Sequence, residues 1–228
     1  MIATPFLPYI YSRAEVVALL KAARALRPSP QSPLRPQTYY LLILLLYTTG
    51  MRLGEVLKLQ LRDINQKDQT LYIRETKFFK SRVVPLSPSM MRELESYLQI
   101  RKRSRASTNP ESPLFLNPYR QRPYSISGFQ GLFRHIFRDL GLKPTGNRSG
   151  PRPHDLRATF AVHRLEEWYR NHEDVQSKLG FLSTYLGHVG IGRTQRYLPM
   201  TTELLQQASQ RFEKYFTLTQ TEKEKKNE

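Results

Sequence analysis

Between Gln37 and Thr49 the sequence leaves no polar face. Leu41, Leu42, Ile43, Leu44, Leu45 and Leu46 follow one another without a charge, and on a helix six consecutive apolar residues point in every direction around the axis. A helix of this kind cannot lie on a surface. It must be surrounded, so the rest of the chain has to supply elements that cover it on all sides. The run is far shorter than the roughly 20 apolar residues that cross a bilayer, so the cover is protein. The Pro-rich stretch Pro28 to Pro36 precedes the helix, and Gly50 fits the left-handed position just past its end.

The flanking sequence offers the covering elements. Ser12-Arg13-Ala14-Glu15 reads as a capping box, followed by Val16, Leu19, Leu20 and Ala23 at helical spacing and an end near Leu26. A short helix is expected from Arg52 to Leu59, with Leu53, Val56 and Leu57 inward and Arg52 one turn from Glu55. The period then changes to two. Asp63-Ile64-Asn65, Thr70 to Ile73 and Arg82 to Pro85 read as three short strands, with a turn at Gln66 to Asp68 and Lys77 and Lys80 on the turn before the last. Further helices are expected at Ser87–Arg105, Ser125–Leu140, His154–Tyr169, Val175–Leu186 and Thr201–Phe216, separated by loops at Ser104–Pro118 and Lys143–Pro153. The fold class is mainly α with a small three-stranded antiparallel β-sheet. No repeat or composition break divides it, so residues 1–216 are expected to form one domain, followed by a charged, disordered tail over 217–228.

Charge narrows the partner. Lys and Arg number 36 against 19 acids, a net +17, which favours a polyanion through counterion release from phosphates. No basic amphipathic helix or lipidation motif points to a membrane instead. The chain has no cysteine, which excludes disulfides and thiolate metal sites, and its first residues lack the pattern of a signal peptide. The expectation is a soluble, cytoplasmic, DNA-associated protein.

The residues with chemistry fall in three places. Thr49-Gly50-Met51-Arg52 sets an arginine at a glycine-marked helix boundary. His154-Asp155-Leu156-Arg157 puts a histidine and an arginine three apart, on one helix face. Leu186-Gly187-His188 ends a helix and presents a histidine, with Tyr197 nine residues on between Arg193, Arg196 and the next helix. Two arginines, two histidines and a tyrosine suit a phosphodiester, with the phenol attacking and guanidinium forks holding the non-bridging oxygens. Each has an ordinary reading beside this one. Most of the 13 tyrosines must be packing residues, and Tyr185 reads as core. A histidine after a helix-ending glycine is commonly a cap residue. Arg52 lies in an apolar helix where its charge needs a partner, for which Glu55 is a candidate. His135, His163 and His172 read as structural or solvent-facing. Competing chemistries lack their signatures: there is no His-x-x-x-His pair near His154 or His188, no Walker loop and no Gly-x-Ser-x-Gly elbow.

Taken in order, Arg52, Lys77, His154-x-x-Arg157, Leu186-Gly187-His188 and Tyr197 resemble the catalytic domain of the tyrosine recombinases, the phage-integrase and Xer-like family, over roughly residues 8 to 216. The resemblance implies the tyrosine-recombinase catalytic-domain fold and site-specific cleavage and rejoining of DNA strands through a 3′-phosphotyrosyl intermediate, without metal or nucleotide cofactor. It assigns Tyr197 as nucleophile, Arg52, Arg157 and His188 to the phosphate, and His154 to proton transfer from the tyrosine or a hydrogen bond to the phosphate. Lys77, counted back from Val84-Pro85-Leu86, becomes the acid for the leaving 5′-oxygen, and Lys80 a backbone contact. Here Thr76 and Phe78 flank Lys77 where the family more often has glycine, so the reading of both lysines as plain phosphate contacts stays open. Lys80, Arg82, Arg152 and Arg193 are expected to touch the DNA backbone. The implied partners are double-stranded DNA and further copies of the chain, a dimer to a tetramer assembled on DNA, with no membrane. Two departures stand out. Arg157 and His188 are 31 residues apart, longer than in compact Xer-like members, and the family's usual N-terminal core-binding domain is expected to be absent. The alternatives are a type IB topoisomerase-like relaxing enzyme and a non-catalytic DNA-binding protein that keeps the fold.

Overall fold

The apolar helix lies where its sequence requires. In the computed structural model, which describes residues 8–74, 81–142, 151–198, 206 and 209, the chain packs as two units, Met1–Phe160 and Ala161–Glu228. In the first unit α2 (Arg35–Thr49) buries Leu41, Leu42, Ile43, Leu45 and Leu46. It packs against α1 (Arg13–Arg24), α3 (Leu53–Leu57) and α4 (Pro88–Arg103). It begins two residues earlier than the sequence suggests, because Pro36 falls in the first turn, where a missing N–H costs nothing. Gly50 ends it with φ of 60°, donating its N–H to the Leu46 carbonyl at 3.1 Å.

The other helices of this unit start on the caps their sequences carry. Ser12 and Glu15 form the reciprocal capping box of α1, and the Ser87 hydroxyl accepts from the Met90 N–H at the start of α4. The Ser125 hydroxyl does the same for α5 (Ile126–Asp139), accepting from the Gly128 N–H. The face of α5 carrying Phe129, Phe133 and Ile136 is buried, and the helix packs on α1 and α3. Helix α3 stops at Leu57 rather than Leu59: the Lys58 and Leu59 N–H groups tighten onto the i−3 carbonyls of Glu55 at 3.2 Å and Val56 at 3.3 Å, and the Leu59 carbonyl accepts the Leu114 N–H at 2.7 Å.

The small sheet has the order β1 (Ile64–Asn65), β2 (Thr70–Ile73), β3 (Arg82–Pro85), antiparallel throughout, with Leu71 opposite Val84 and Tyr72 opposite Val83. Alternation decides the faces: Leu71, Ile73 and Val84 are buried, Tyr72 and Val83 exposed. Asp63, read as the start of β1, lies in a 3-10 turn instead. Its buried carboxylate accepts the Gln60 N–H and the Arg74 guanidinium, which pulls it out of the strand.

The stretch from Ser104 to Pro118, read as loop, carries structure that no periodicity announces. Arg101, 2% exposed at the end of α4, donates to the carbonyls of Ser107, Pro113 and Leu114 and to the Ser112 hydroxyl. The chain is thereby folded round a buried guanidinium. It then forms a two-residue ladder between β4 (Leu116–Asn117) and β5 (Arg122–Pro123), too short to show alternation.

Helix α6 (Asp155–Arg170) starts in the first unit. In the second unit α7 (Val175–Leu186) has the bounds its sequence predicts. Asp174 caps it by accepting from the Gln176 and Ser177 N–H groups, and Val175, Leu179, Leu182 and Leu186 are buried. The long interval between Arg157 and His188 is accounted for by α6 running to Arg170 and a turn with His172 at φ of 57°. A four-residue helix not foreseen from sequence, α8 (Gly192–Gln195), packs on α7. Of the expected helix at 201–216 only Gln206 and Ser209 are described, both helical and exposed, and the charged tail lies outside the described residues. Among the described residues no helix is long and apolar enough to cross a membrane.

Candidate active site

In the first unit the site is built round the end of α2. Gly50 turns the chain, Met51 is buried, and Arg52 follows as the extended N-cap of α3 (φ −75°, ψ 144°). Arg157, 2% exposed and in the first turn of α6, donates its Nη1 to the Gly50 carbonyl at 2.7 Å. The glycine that sets the direction of Arg52 therefore also anchors Arg157. The start of α6 is fixed by Asp155, whose buried carboxylate accepts the Arg152 N–H at 2.8 Å and the Arg152 guanidinium at 3.2 Å. Arg152 keeps about half its side chain in solvent (48%).

His154 stands between these two residues. It keeps access to solvent, yet enough protein surrounds the ring that desolvation draws its pKa below the ordinary 6.5. The positive charge of Arg157 adds to this, Asp155 opposes it, and Arg152 and Arg52 contribute further in the same direction. A histidine so placed is neutral near pH 7, the form that can accept a proton.

Arg52 has the partner its surroundings require. Its Nη1 donates to Glu55 Oε1 at 2.8 Å, and its backbone N–H to Glu55 Oε2 at 3.0 Å. A second guanidinium, that of Arg82 on β3, donates to the same carboxylate at 3.2 and 2.7 Å. Burial alone would raise the pKa of Glu55. The bonds from Arg82 and from the Arg52 backbone outweigh it and bring the pKa down to about 2. Sequence reasoning set Arg82 among the backbone contacts and missed this pairing, although the signal was present: Arg82 and Val84 are two apart on one strand, so they share the inward face.

In the second unit the left-handed Gly187 (φ 66°) ends α7, and His188 donates its N–H back to the Ser183 carbonyl. The imidazole Nδ1 meets the hydroxyl of fully buried Thr194 at 2.8 Å, which fixes the ring and turns Nε2 to the opposite side. Thr194 belongs to α8, and its carbonyl accepts the Tyr197 N–H at 3.0 Å. One short helix thus holds both residues, and the rings of His188 and Tyr197 lie 6.2 Å apart. Tyr197 is 7% exposed, while Arg193 and Arg196 face solvent. Lys77 and Lys80 lie outside the described residues. Among the described residues no group of three or more His, Asp or Glu side chains is arranged to hold a metal ion.

Comparison with known proteins covers both units. The family model described as "Phage integrase family" matches residues 11–204. A putative integrase/recombinase of Sinorhizobium fredii, y4rB, is 38% identical over 208 residues, which make up 91% of this chain and 66% of that protein. The tyrosine recombinase XerA of Pyrococcus horikoshii is 33% identical over 74% of this chain and 52% of its own length. This chain therefore spans between half and two thirds of these relatives. Among solved structures, the XerH site-specific recombinase bound to palindromic difH substrate superposes with a TM-score of 0.69 at 23% identity, covering 93% of this chain and 55% of that one.

Proposed function

Because this chain belongs to the phage integrase family and has the fold of a tyrosine-recombinase catalytic domain, we propose that it cleaves and rejoins DNA strands at specific sites through a 3′-phosphotyrosyl intermediate. The Tyr197 oxygen forms a bond to phosphorus as the bond to the 5′-oxygen breaks. The phenolic proton passes to neutral His154, and the departing 5′-oxygen takes a proton from Lys77. Arg52, Arg157 and His188 stabilise the charge that collects on the non-bridging oxygens. Attack by the 5′-hydroxyl of a partner strand reverses these steps, so the phosphodiester is remade without an outside energy source. Exchange between two duplexes needs four such sites, which calls for copies of the chain assembled on DNA. Lys80, Arg152 and Arg193 position the backbone without reading sequence.

The observation that carries this reading is the bond from Arg157 to the Gly50 carbonyl. It sets a guanidinium at the turn that Arg52 follows, 105 residues away in sequence, which supports the reading that the two arginines serve one phosphate. Structural economy alone gives no reason to gather two like charges at one turn.

The test is covalent trapping. Nicked duplexes tiled across the DNA flanking the gene are incubated with the protein and resolved on a denaturing gel, with Tyr197→Phe alongside. A protein–DNA adduct that disappears in the variant is the expected result. An adduct that persists in Tyr197→Phe puts the nucleophile elsewhere. Binding without any adduct turns the reading to a DNA-binding protein that keeps the fold, and relaxation of supercoiled plasmid without strand exchange turns it to a topoisomerase.

A further inference from the structure

The Glu55 carboxylate carries more than one arginine needs. Its Oε1 accepts Arg52 Nη1 at 2.8 Å and Arg82 Nη1 at 3.2 Å, and its Oε2 accepts Arg82 Nη2 at 2.7 Å and the Arg52 N–H at 3.0 Å. The side chain of Glu55 is 8% exposed and that of Arg82 13%, against 24% for Arg52. The inner arginine therefore takes both oxygens, while the outer one touches a single oxygen through its side chain. Arg82 is also held hard in place: among the described residues its Nε is buried with no hydrogen-bond partner. A protein tolerates such an orphan donor where the rest of the guanidinium is committed.

Charge explains what the arrangement does. One carboxylate facing Arg52 alone would cancel its charge and draw both terminal nitrogens into a two-pronged pair, the strongest geometry open to these groups. With Arg82 already on both oxygens, the carboxylate is neutralised from inside and offers Arg52 one acceptor direction. The cluster then keeps a net charge of about +1, and that charge sits on its outer member. We propose that Arg82 is a positioning residue for strand cleavage: by occupying and neutralising Glu55, it keeps that carboxylate from a two-pronged pair with Arg52 and so directs the Arg52 guanidinium outward to the scissile phosphate. The inference rests on the cleavage reading above and extends it to a residue that touches no DNA.

The test compares single-turnover adduct formation by the wild-type chain, Arg82→Gln, Glu55→Gln, the double variant and Arg82→Lys, with duplex affinity and thermal melting measured for each. Arg82→Gln should slow adduct formation about ten-fold or more while duplex affinity and its salt dependence stay close to wild type. Removing the carboxylate as well should recover part of that rate, because the charge that captures Arg52 is gone. Arg82→Lys, which keeps the charge but not the fork, should fall between Arg82→Gln and the wild type. Losses that multiply in the double variant would overturn the proposal. So would a shallower salt dependence in Arg82→Gln, which would make Arg82 a direct phosphate contact, or a rate loss matched by the fall in melting temperature and restored in full by stabilising conditions. If the wild-type chain makes no adduct, the cleavage reading fails separately. The positioning claim is then read from the Arg52 Nε–H resonance, which must shift in Arg82→Gln and whose constancy would refute it.

Discussion

Glu55 and His154 are both held in their unprotonated forms by their surroundings, and both predict how the protein responds to acid. The pKa of Glu55 is depressed to about 2 from 4.5. Its contribution to stability is therefore complete above pH 4.5 and is lost as pH falls toward 2. Acid melting curves of Glu55→Gln should be flatter than wild type across that window. An unchanged slope would mean that the arginines do not hold the carboxylate ionised in solution. His154 is shifted downward too, but as a base whose neutral form the fold prefers. Its contribution is present above pH 6.5 and declines as pH falls through its lowered value. If neutral His154 accepts the tyrosine proton, adduct formation should hold through pH 6.5 and drop only below it. The rate profile of His154→Gln should lack that acid limb.

Two elements turn on one residue each. Gly50 ends α2 at φ of 60° and also supplies the carbonyl that holds Arg157. Gly50→Ala puts a Cβ into the left-handed region, at a cost of about 1–2 kcal/mol. Because relief of that strain moves the carbonyl, adduct formation should fall further than the stability change alone explains. Denaturant titration beside the trapping assay separates the two. Arg101 organises the segment after α4 with four donated bonds. Arg101→Met leaves buried carbonyls without a donor and should destabilise the first unit by about 3 kcal/mol or more, a loss read directly in the denaturation midpoint. These elements differ in how legible they were. The bounds of α7 could be read in sequence because Asp174 and Gly187 mark its ends. The β4–β5 ladder and α8 could not, since two to four residues carry no period. The role of Arg101 could not either, because an arginine at the basic end of a helix looks like any surface charge.

For the molecule as a whole, charge is the property that acts at a distance. With +17, duplex binding should show a steep linear fall of log affinity with log salt, each neutralised phosphate contributing about −0.9 to the slope. A flat dependence would remove DNA as the partner. The sequence by itself determined the α2-centred, mainly helical architecture and the three-stranded sheet, and it singled out the residues proposed to bear chemistry. Each of these follows from local rules: a helix without a polar face must be buried, alternation sorts strand faces, and caps and glycines end helices. Only the tertiary structure decided which groups share a partner. That Arg157 lies on the carbonyl of Gly50 and that Arg82 turns inward onto Glu55 are facts about groups 107 and 27 residues apart, and that a buried threonine orients His188 depends on the turn between them. Such meetings are set by packing and by the need to pair every buried charge, which no local pattern encodes.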